Sequence, residues 1–175
     1  MIHYIEGNIL ESDAEALVNT VNTIGVMGKG IALQFKKIYP HNYKAYLDAC
    51  KKGELKIGKL FLTRDYNLSS GEKIIINFPT KTDWRKPSEY SYVESGLDAL
   101  VSLIEQNNIK SIAIPPLGAG NGGLKWEKVK SIIENRLSNL NIDIYVYEPT
   151  TLIKEHLKKE RVKLTNARAL LLYVL

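Results

Sequence analysis

Cysteine is nearly absent from this chain, with Cys50 alone among 175 residues. A single cysteine excludes an internal disulfide framework and favours a reducing compartment, so we predict a cytoplasmic protein. Apolar runs long enough to span a bilayer are also missing, and the N-terminal residues do not have the pattern of a signal peptide. Neither a membrane protein nor a disulfide-rich secreted domain is therefore predicted.

Groups of metal-binding side chains are missing as well. The histidines His3, His41 and His156 are scattered, and neither a His-x-x-x-His nor a Cys-x-x-Cys motif occurs. No Gly-x-Ser-x-Gly motif is present, so a serine hydrolase is not predicted either. We expect a protein without metal or cofactor. The net charge of +5 only weakly favours a polyanionic partner.

Short apolar runs alternate with helical stripes along most of the chain. The predicted strands span residues 2–6, 16–20, 59–66, 73–78, 109–116 and 142–147, and the predicted helices span 29–38, 42–52, about 93–104 and about 126–137. Ser91 and Glu94 fit a capping box at the start of the third helix. This alternation favours an α/β fold with a mixed, at least partly parallel sheet.

Residues 151–175 differ from the rest of the chain. They are rich in lysine and arginine and then become apolar. We interpret residues 1–150 as one domain and residues 151–175 as a basic linker followed by the start of a truncated second domain. Docking of this tail back onto the first domain is the alternative.

A glycine-rich turn, the first glycine loop (residues 23–30), follows the predicted second strand. Asn19 and Asn22 lie at the end of that strand, and Gly25, Gly28 and Gly30 lead into the next helix. Such a turn presents free backbone N–H groups at the positive end of a helix, which favours an anion and most often a phosphate. A tight strand-to-helix turn without a ligand explains the same glycines equally well.

The second glycine loop (residues 117–124) has the spacing Gly118-x-Gly120-x-x-Gly123 between a strand and a helix. This spacing resembles a dinucleotide-binding motif, but only one further strand follows, so a complete dinucleotide fold does not fit. Two such loops at the carboxyl edge of one sheet could hold a diphosphate from two sides. Neither loop supplies a carboxylate for a metal. We therefore predict a metal-free nucleotide diphosphate with a sugar at either end as the ligand.

Lys81 lies between the two glycine loops in sequence, shortly after the strand 73–78, with Arg85 and Lys86 nearby. Most lysines are solvated surface residues. Partial burial beside other cations would favour a neutral amine, which attacks masked aldehydes such as the anomeric carbon of a ribose. Lys81 is therefore the candidate nucleophile.

A family resemblance is carried by residues 7–9, 19–22, 25–32, 79–81 and 116–126. Together these motifs resemble a macrodomain, and they cover the chain from the first strand to about Tyr147. The segment 26–32 with Lys81 is specific to the subfamily that contains the human terminal ADP-ribose protein glycohydrolase and the bacterial antitoxin DarG. The tail from Lys163 is similar to the entry to the second domain of DarG. The resemblance implies a three-layer α/β/α fold with a central mixed sheet.

The resemblance also implies an activity. Proteins of this type remove ADP-ribose from thymidine bases of single-stranded DNA, which reverses the action of a DarT-type toxin. We therefore expect a cytoplasmic antitoxin with a DNA-repair activity, a glycosidase-type ADP-ribosylhydrolase that breaks an N-glycosidic bond without a metal. The expected partners are ADP-ribose, ADP-ribosylated single-stranded DNA and, mainly through a further C-terminal domain, the toxin.

Residue roles carry over from the matching motifs. Lys81 is implied to be the catalytic residue, which attacks or polarises the distal ribose at its anomeric carbon, and Asn22 is implied to orient that ribose. Asn8 and Ile9 are implied to meet the adenine, although many macrodomains have aspartate at the position of Asn8. The full set implied to bind ADP-ribose is Asn8, Ile9, Asn19, Gly28, Lys29, Gly30, Ile31, Ala32, Thr80, Leu117, Gly118, Ala119, Gly120, Asn121, Gly122, Gly123, Leu124 and Tyr147.

One departure from the subfamily pattern concerns the second glycine loop. The human-type enzyme pairs its lysine with an aspartate at the position of Gly122, so a covalent mechanism completed by that acid is not implied here. Asp83 is a candidate substitute, with a plain surface role as its alternative. Trp84 and Arg85 are candidate DNA-binding residues, and Trp84 covering the core edge is the alternative. A non-catalytic ADP-ribose reader and a hydrolase of ADP-ribose esters on protein carboxylates are the rival functions.

Overall fold

Strands at the centre of the protein form one sheet. The structure is a computed structural model that describes residues 1–149. The strands lie in the order β1-β6-β5-β2-β4-β3 and are β1 (Ile2–Ile5), β2 (Ala16–Asn22), β3 (Phe61–Asn67), β4 (Gly71–Lys81), β5 (Ser111–Ile114) and β6 (Asp143–Tyr147). Every neighbouring pair is parallel except β3 and β4, which form an antiparallel hairpin. The predicted mixed sheet is confirmed, whereas the interpretation of residues 151–175 concerns residues outside the described range.

Helices cover both faces of the sheet. Within residues 1–149 a short 3-10 helix spans Ile9–Glu11, and the α-helices are α1 (Gly30–Ile38), α2 (Pro40–Lys51), α3 (Tyr90–Gln106) and α4 (Trp126–Leu137). Side chains alternate across a strand, so Ala16 and Val18 of β2 pack with residues of α3 and α4, while Leu17 packs with residues of α1. The expected three-layer α/β/α arrangement is confirmed. None of the helices within residues 1–149 is long and apolar enough to cross a membrane.

The start of α3 differs from the prediction. The predicted capping box of Ser91 and Glu94 is wrong, because α3 begins at Tyr90 and its N-cap residue Glu89 makes no side-chain cap bond. The N–H of Tyr92 already bonds to the carbonyl of Glu89 at 3.1 Å, so the first turn forms before Ser91 could act as a cap.

Strand β4 continues beyond its predicted end at Phe78. Its register with β2 shifts by one residue near its end, so that Val21 pairs with Pro79 whereas Asn22 pairs with Lys81. The residue between them, Thr80, is therefore the extra residue of a β-bulge, and Pro79, which has no N–H to donate, is tolerated beside it. The bulge places Lys81 beside Asn22 at the end of the sheet.

Gly96 allows α3 to approach β4 closely. A Cβ atom at Gly96 would lie 2.2 Å from Cζ of Phe78, whose side chain is fully buried. We predict that Gly96→Ala lowers the free energy of unfolding by about 1–3 kcal/mol through overpacking, although alanine is the better helix former. Urea unfolding measures this change. Ser91→Ala, at an exposed position of the same helix, is the control, and equal effects of the two substitutions would contradict the close packing.

Candidate functional site

The carboxyl ends of five parallel strands meet at one edge of the sheet. Among them, β2 lies between β4 and β5. The first glycine loop follows β2, the second follows β5, and Lys81 ends β4. After β2 the chain forms β4 on one side of that strand and then β5 on the other side. Ligands of open α/β sheets bind where the strand order reverses in this way. The topology therefore brings both loops and Lys81 together.

Asn22 shapes the first glycine loop from within. Its Nδ2 donates to the carbonyl of Val26 at 2.6 Å, and its Oδ1 accepts from the N–H groups of Ile24 at 3.2 Å and Val26 at 3.1 Å. The hydroxyl of Tyr46 in α2 lies 2.8 Å from the carbonyl oxygen of Asn22 and 3.1 Å from its Oδ1. Burial raises the pKa of Tyr46 far above its ordinary value, so the hydroxyl keeps the proton that it donates. The carboxamide of Asn22 is thus committed to the loop.

Further contacts hold the first glycine loop in place. The Thr23 hydroxyl donates to the carbonyl of Thr82 at 2.8 Å, which ties the loop to the residue after β4. Asn19 is fully buried, and its Nδ2 contacts Sδ of Met27 at 3.9 Å and Oδ1 of Asn77 at 3.3 Å. Asn19 therefore supports the loop from below rather than lining the cleft.

The start of α1 has unpaired main-chain donors. None of the described side chains caps this helix, and its first turn closes where the N–H of Leu33 bonds to the carbonyl of Lys29. The N–H groups of Gly30, Ile31 and Ala32 therefore have no intrahelical acceptor. They lie at the positive end of the helix dipole, which suits a phosphate.

Tight turns shape the second glycine loop. The N–H of Leu124 bonds to the carbonyl of Gly118 at 3.0 Å, which closes the loop. Gly118 has a φ of 73° and Gly123 a φ of 79°, and glycine adopts such positive values without strain. Main-chain N–H groups that donate to none of the residues 1–149 remain in the middle of the loop, on Gly120, Asn121 and Gly122. The second loop therefore also offers donors to an anion.

Gly122 has no room for a side chain. A Cβ atom there would lie 2.4 Å from the carbonyl oxygen of Gly118 and 2.3 Å from Oγ of Ser88. The N–H of Ser88 bonds to the carbonyl of Gly122 at 3.0 Å, so the segment before α3 packs directly against the loop. The packing of the loop therefore explains why no aspartate stands at this position.

Lys81 lies where the two glycine loops meet. A Cβ atom at Gly30 would lie only 2.9 Å from Nδ2 of Asn121, so the loops touch. The amine of Lys81 donates to the carbonyl of Asn121 at 2.9 Å and to that of Trp84 at 3.5 Å. Lys81 is half-buried, and the salt bridges found within residues 1–149 do not include it. Its amine is positioned by main-chain carbonyls beside the junction of the loops.

Asp83 pairs with Arg85 rather than with Lys81. Nη2 of Arg85 lies 2.6 Å from Oδ2 of Asp83, and Nε lies 3.0 Å from Oδ1. These hydrogen bonds and the charge of Arg85 lower the pKa of Asp83 to about 2, so the carboxyl is ionised at neutral pH and has no proton to donate. Trp84 is 48% exposed, and the Arg85 guanidinium lies 5.6 Å from its ring centroid. Trp84 and Arg85 form an exposed aromatic–cation pair next to Lys81.

The far end of the edge holds the residues predicted to meet adenine. The side chain of Asn8 accepts the N–H of Leu10 at 3.1 Å and caps the 3-10 helix. Ile9 and Tyr147 are buried in one cluster with Phe35 of α1. Because β1 and β4 are separated by four strand spacings, the two ends of the candidate site lie roughly 19 Å apart. The edge is long enough for an extended ligand.

The predicted site residues lie along this edge, but their side chains do not all face it. Leu117 is fully buried in the core below the second loop, and Thr80 is buried in the bulge. Tyr46 is not among the predicted site residues. Its spacing with the other buried residues of α2 marks it as inward-facing without revealing what its hydroxyl contacts. Within residues 1–149 no group of three or more His, Cys, Asp or Glu side chains is arranged to hold a metal ion.

The fold and the paired loops define a known class of protein. The family model for the Macro domain matches residues 18–133, and the chain belongs to the macrodomain family. The DNA ADP-ribosyl glycohydrolase of Thermus aquaticus is 50% identical to it over 176 residues, which cover 98% of this chain and 49% of that protein. The predicted resemblance to DarG-type macrodomains is therefore confirmed, and the chain spans about half the length of this curated relative.

Solved structures agree with this assignment. The macrodomain of Thermus aquaticus DarG is 52% identical, with a TM-score of 0.80 over 85% of this chain and 99% of that chain. Thermosipho africanus DarTG in complex with ADP-ribose is 37% identical, with a TM-score of 0.78 over 83% of this chain and 41% of that chain.

The Tyr46 hydroxyl has a predicted effect on stability. We expect Tyr46→Phe to lower the free energy of unfolding by about 1–2 kcal/mol, because buried oxygen atoms of Asn22 lose a donor. Urea unfolding of the two proteins tests this. Tyr66→Phe removes a hydroxyl from a residue that is 62% exposed, and we expect it to change stability by less than about 0.5 kcal/mol. Equal losses in the two variants would show that the Asn22 contact contributes nothing.

The packing at Gly122 leads to a second prediction. Gly122→Ala should lower the free energy of unfolding by about 1–3 kcal/mol, since its Cβ has no space. Gly120→Ala is the matched control from the same loop, because no heavy atom lies within 4 Å of its Cβ position. Thermal or urea unfolding compares the two, and an unaffected Gly122→Ala variant would refute the close packing against Ser88.

Proposed function

We propose that the chain is a DNA ADP-ribosyl glycohydrolase, which removes ADP-ribose from thymidine bases of single-stranded DNA. The relative that carries this name and the DarTG complex with ADP-ribose support the substrate class. One observation carries the proposal: the amine of Lys81 lies at the junction of the two glycine loops, 2.9 Å from the carbonyl of Asn121.

In the proposed complex, ADP-ribose lies along the carboxyl edge of the sheet. Adenine lies at the end near Asn8, Ile9 and Tyr147. The pyrophosphate accepts hydrogen bonds from the main chain at the start of α1 and in the second glycine loop. The distal ribose then lies beside Lys81, at the end of β4. Asn22 orients this ribose indirectly, because its carboxamide holds the first loop in shape.

The proposed reaction breaks the bond between the anomeric carbon of the distal ribose and the base nitrogen. Lys81 attacks or polarises that carbon, and the bonding electron pair leaves with the base, which takes up a proton. Water supplies the oxygen that remains on the anomeric carbon. Asp83, ionised and paired with Arg85, does not serve as the acid. The donors that hold the pyrophosphate are N–H groups, so the proposed mechanism uses no metal.

The same proposal includes a biological partner. Removal of ADP-ribose from DNA reverses a DNA ADP-ribosyltransferase, so we place the chain as the antitoxin of a DarT-type toxin in the cytoplasm. The Thermosipho africanus protein, in which DarT and DarG are named together, supports this pairing. Direct contact with the toxin is assigned mainly to a further C-terminal domain, since this chain corresponds to about half of its curated relative.

A non-catalytic ADP-ribose reader is the second candidate function. The observation that favours it is the packing at Gly122, which excludes the acid that the human-type enzyme places beside its lysine. Two loops with free main-chain donors are sufficient for binding alone. Tight ADP-ribose binding without turnover of modified DNA or of protein-carboxylate esters would favour the reader.

The catalytic role of Lys81 can be tested directly. We expect Lys81→Ala to lower kcat for release of ADP-ribose from modified single-stranded DNA at least about a hundredfold. Because the pyrophosphate donors are main-chain groups, the variant should still bind ADP-ribose in calorimetry. Lys44→Ala, at an exposed position of α2, is the control and should retain full activity. All assays include a chelator. An inactive wild type, or a fully active Lys81→Ala variant, would overturn the proposal.

A further inference from the structure

The segment from Lys81 to the start of α3 runs alongside the segment that leads into α4. The N–H of Ser88 bonds to the carbonyl of Gly122 at 3.0 Å. Further along, the N–H of Lys125 bonds to the hydroxyl oxygen of Tyr90 at 3.1 Å. Together with the bond between the Lys81 amine and Asn121, these contacts hold the two segments side by side. Their exposed side chains, from Trp84 to Lys128, form one surface that leads away from Lys81.

This surface carries basic and aromatic side chains. The ammonium of Lys128 lies 4.1 Å from the ring centroid of Tyr90, which holds the lysine in a defined place. Lys125 and Lys128 are exposed, and the salt bridges found within residues 1–149 include neither of them. Arg85 differs, because Asp83 neutralises its charge. Lys125 and Lys128, like the exposed Lys86 before α3, are therefore available for an external anion.

We infer that Lys125 and Lys128 bind backbone phosphates of the single strand that flanks the modified nucleotide. This inference rests on the proposed function. When the distal ribose is beside Lys81, the attached base and its strand must leave the cleft next to Trp84. A flexible single strand can then stack a base on Trp84, which is 48% exposed, and continue past Tyr90 with its phosphates at the two lysines.

The acidic neighbours of this surface limit its affinity. Glu127 and Glu89 are exposed and lie next to Lys128 and Tyr90 in sequence. The surface therefore adds to binding only when ADP-ribose already anchors the strand. Its contribution is the gain in affinity that an oligonucleotide confers on attached ADP-ribose, not affinity for unmodified DNA.

The test compares two ligands in the Lys81→Ala background, which prevents turnover. We measure Kd for free ADP-ribose and for an ADP-ribosylated single-stranded oligonucleotide, made with a DNA ADP-ribosyltransferase, by calorimetry and fluorescence anisotropy at several salt concentrations. The oligonucleotide should bind more tightly than free ADP-ribose. Lys128→Glu should reduce this advantage about tenfold and reduce the slope of log Kd against log salt by about 0.7 for each phosphate that the protein no longer neutralises.

Lys130→Glu is the matched control. Lys130 lies on the same helix, and its ammonium lies 4.2 Å from the ring of Tyr4 in β1, at the far edge of the sheet. The charge change is identical, and each ammonium lies over a tyrosine ring, so the two variants differ mainly in position. If free ADP-ribose binds but the oligonucleotide brings no advantage, or if Lys128→Glu and Lys130→Glu behave alike, the inference fails while the proposed function stands. If neither ligand binds, both fail.

Discussion

The carboxamide of Asn22 is the group on which the candidate site depends most. It closes the first glycine loop by bonding to Val26 in both directions, and the buried hydroxyl of Tyr46 donates to its Oδ1 and so fixes it to α2. Asn22 also pairs with Lys81 across β2 and β4. Asn22 thus links the first glycine loop, the helix behind it and the strand that ends in the proposed catalytic lysine, through its side chain and its main chain together. The glycines permit the loop, but this network selects its shape.

Below the loop, buried amides join the sheet to α2 beside the apolar contacts of Val21, Tyr46 and Ala49. Asn19 and Asn77 pair across β2 and β4, and Asn77 in turn exchanges hydrogen bonds with Asn42 of α2. Buried polar groups are costly unless they are paired, so the reciprocal bonds of Asn42 and Asn77 tolerate few alternative arrangements. These directional bonds hold α2 in one register against the sheet. That register determines the position of Tyr46, and the Tyr46 hydroxyl in turn fixes the first glycine loop.

The features that the sequence predicted correctly are those that depend on residues close together in the chain. Apolar runs and helical stripes revealed the strands and helices, and the strand–glycine–helix pattern revealed both loops. Apart from the capping box at Ser91 and Glu94, the sequence failed where distant segments decide the outcome. Nothing near Tyr46 shows that its hydroxyl reaches Asn22, and the lack of space at Gly122 is set by Ser88 and Gly118. Pro79 did give a usable signal, since proline within a central strand indicates a bulge.

The bulge at Thr80 determines on which face of the sheet Lys81 lies. In an uninterrupted strand, alternation would put residue 81 on the same face as Ile75 and Asn77, towards α1 and α2. A change that straightened this strand without shortening it would thus move the amine to the other face, while leaving the strands, the helices and both glycine loops in place. In the descent of such genes, the proposed enzyme and an inert binding module can differ by one irregularity in a strand, with no change in the rest of the architecture.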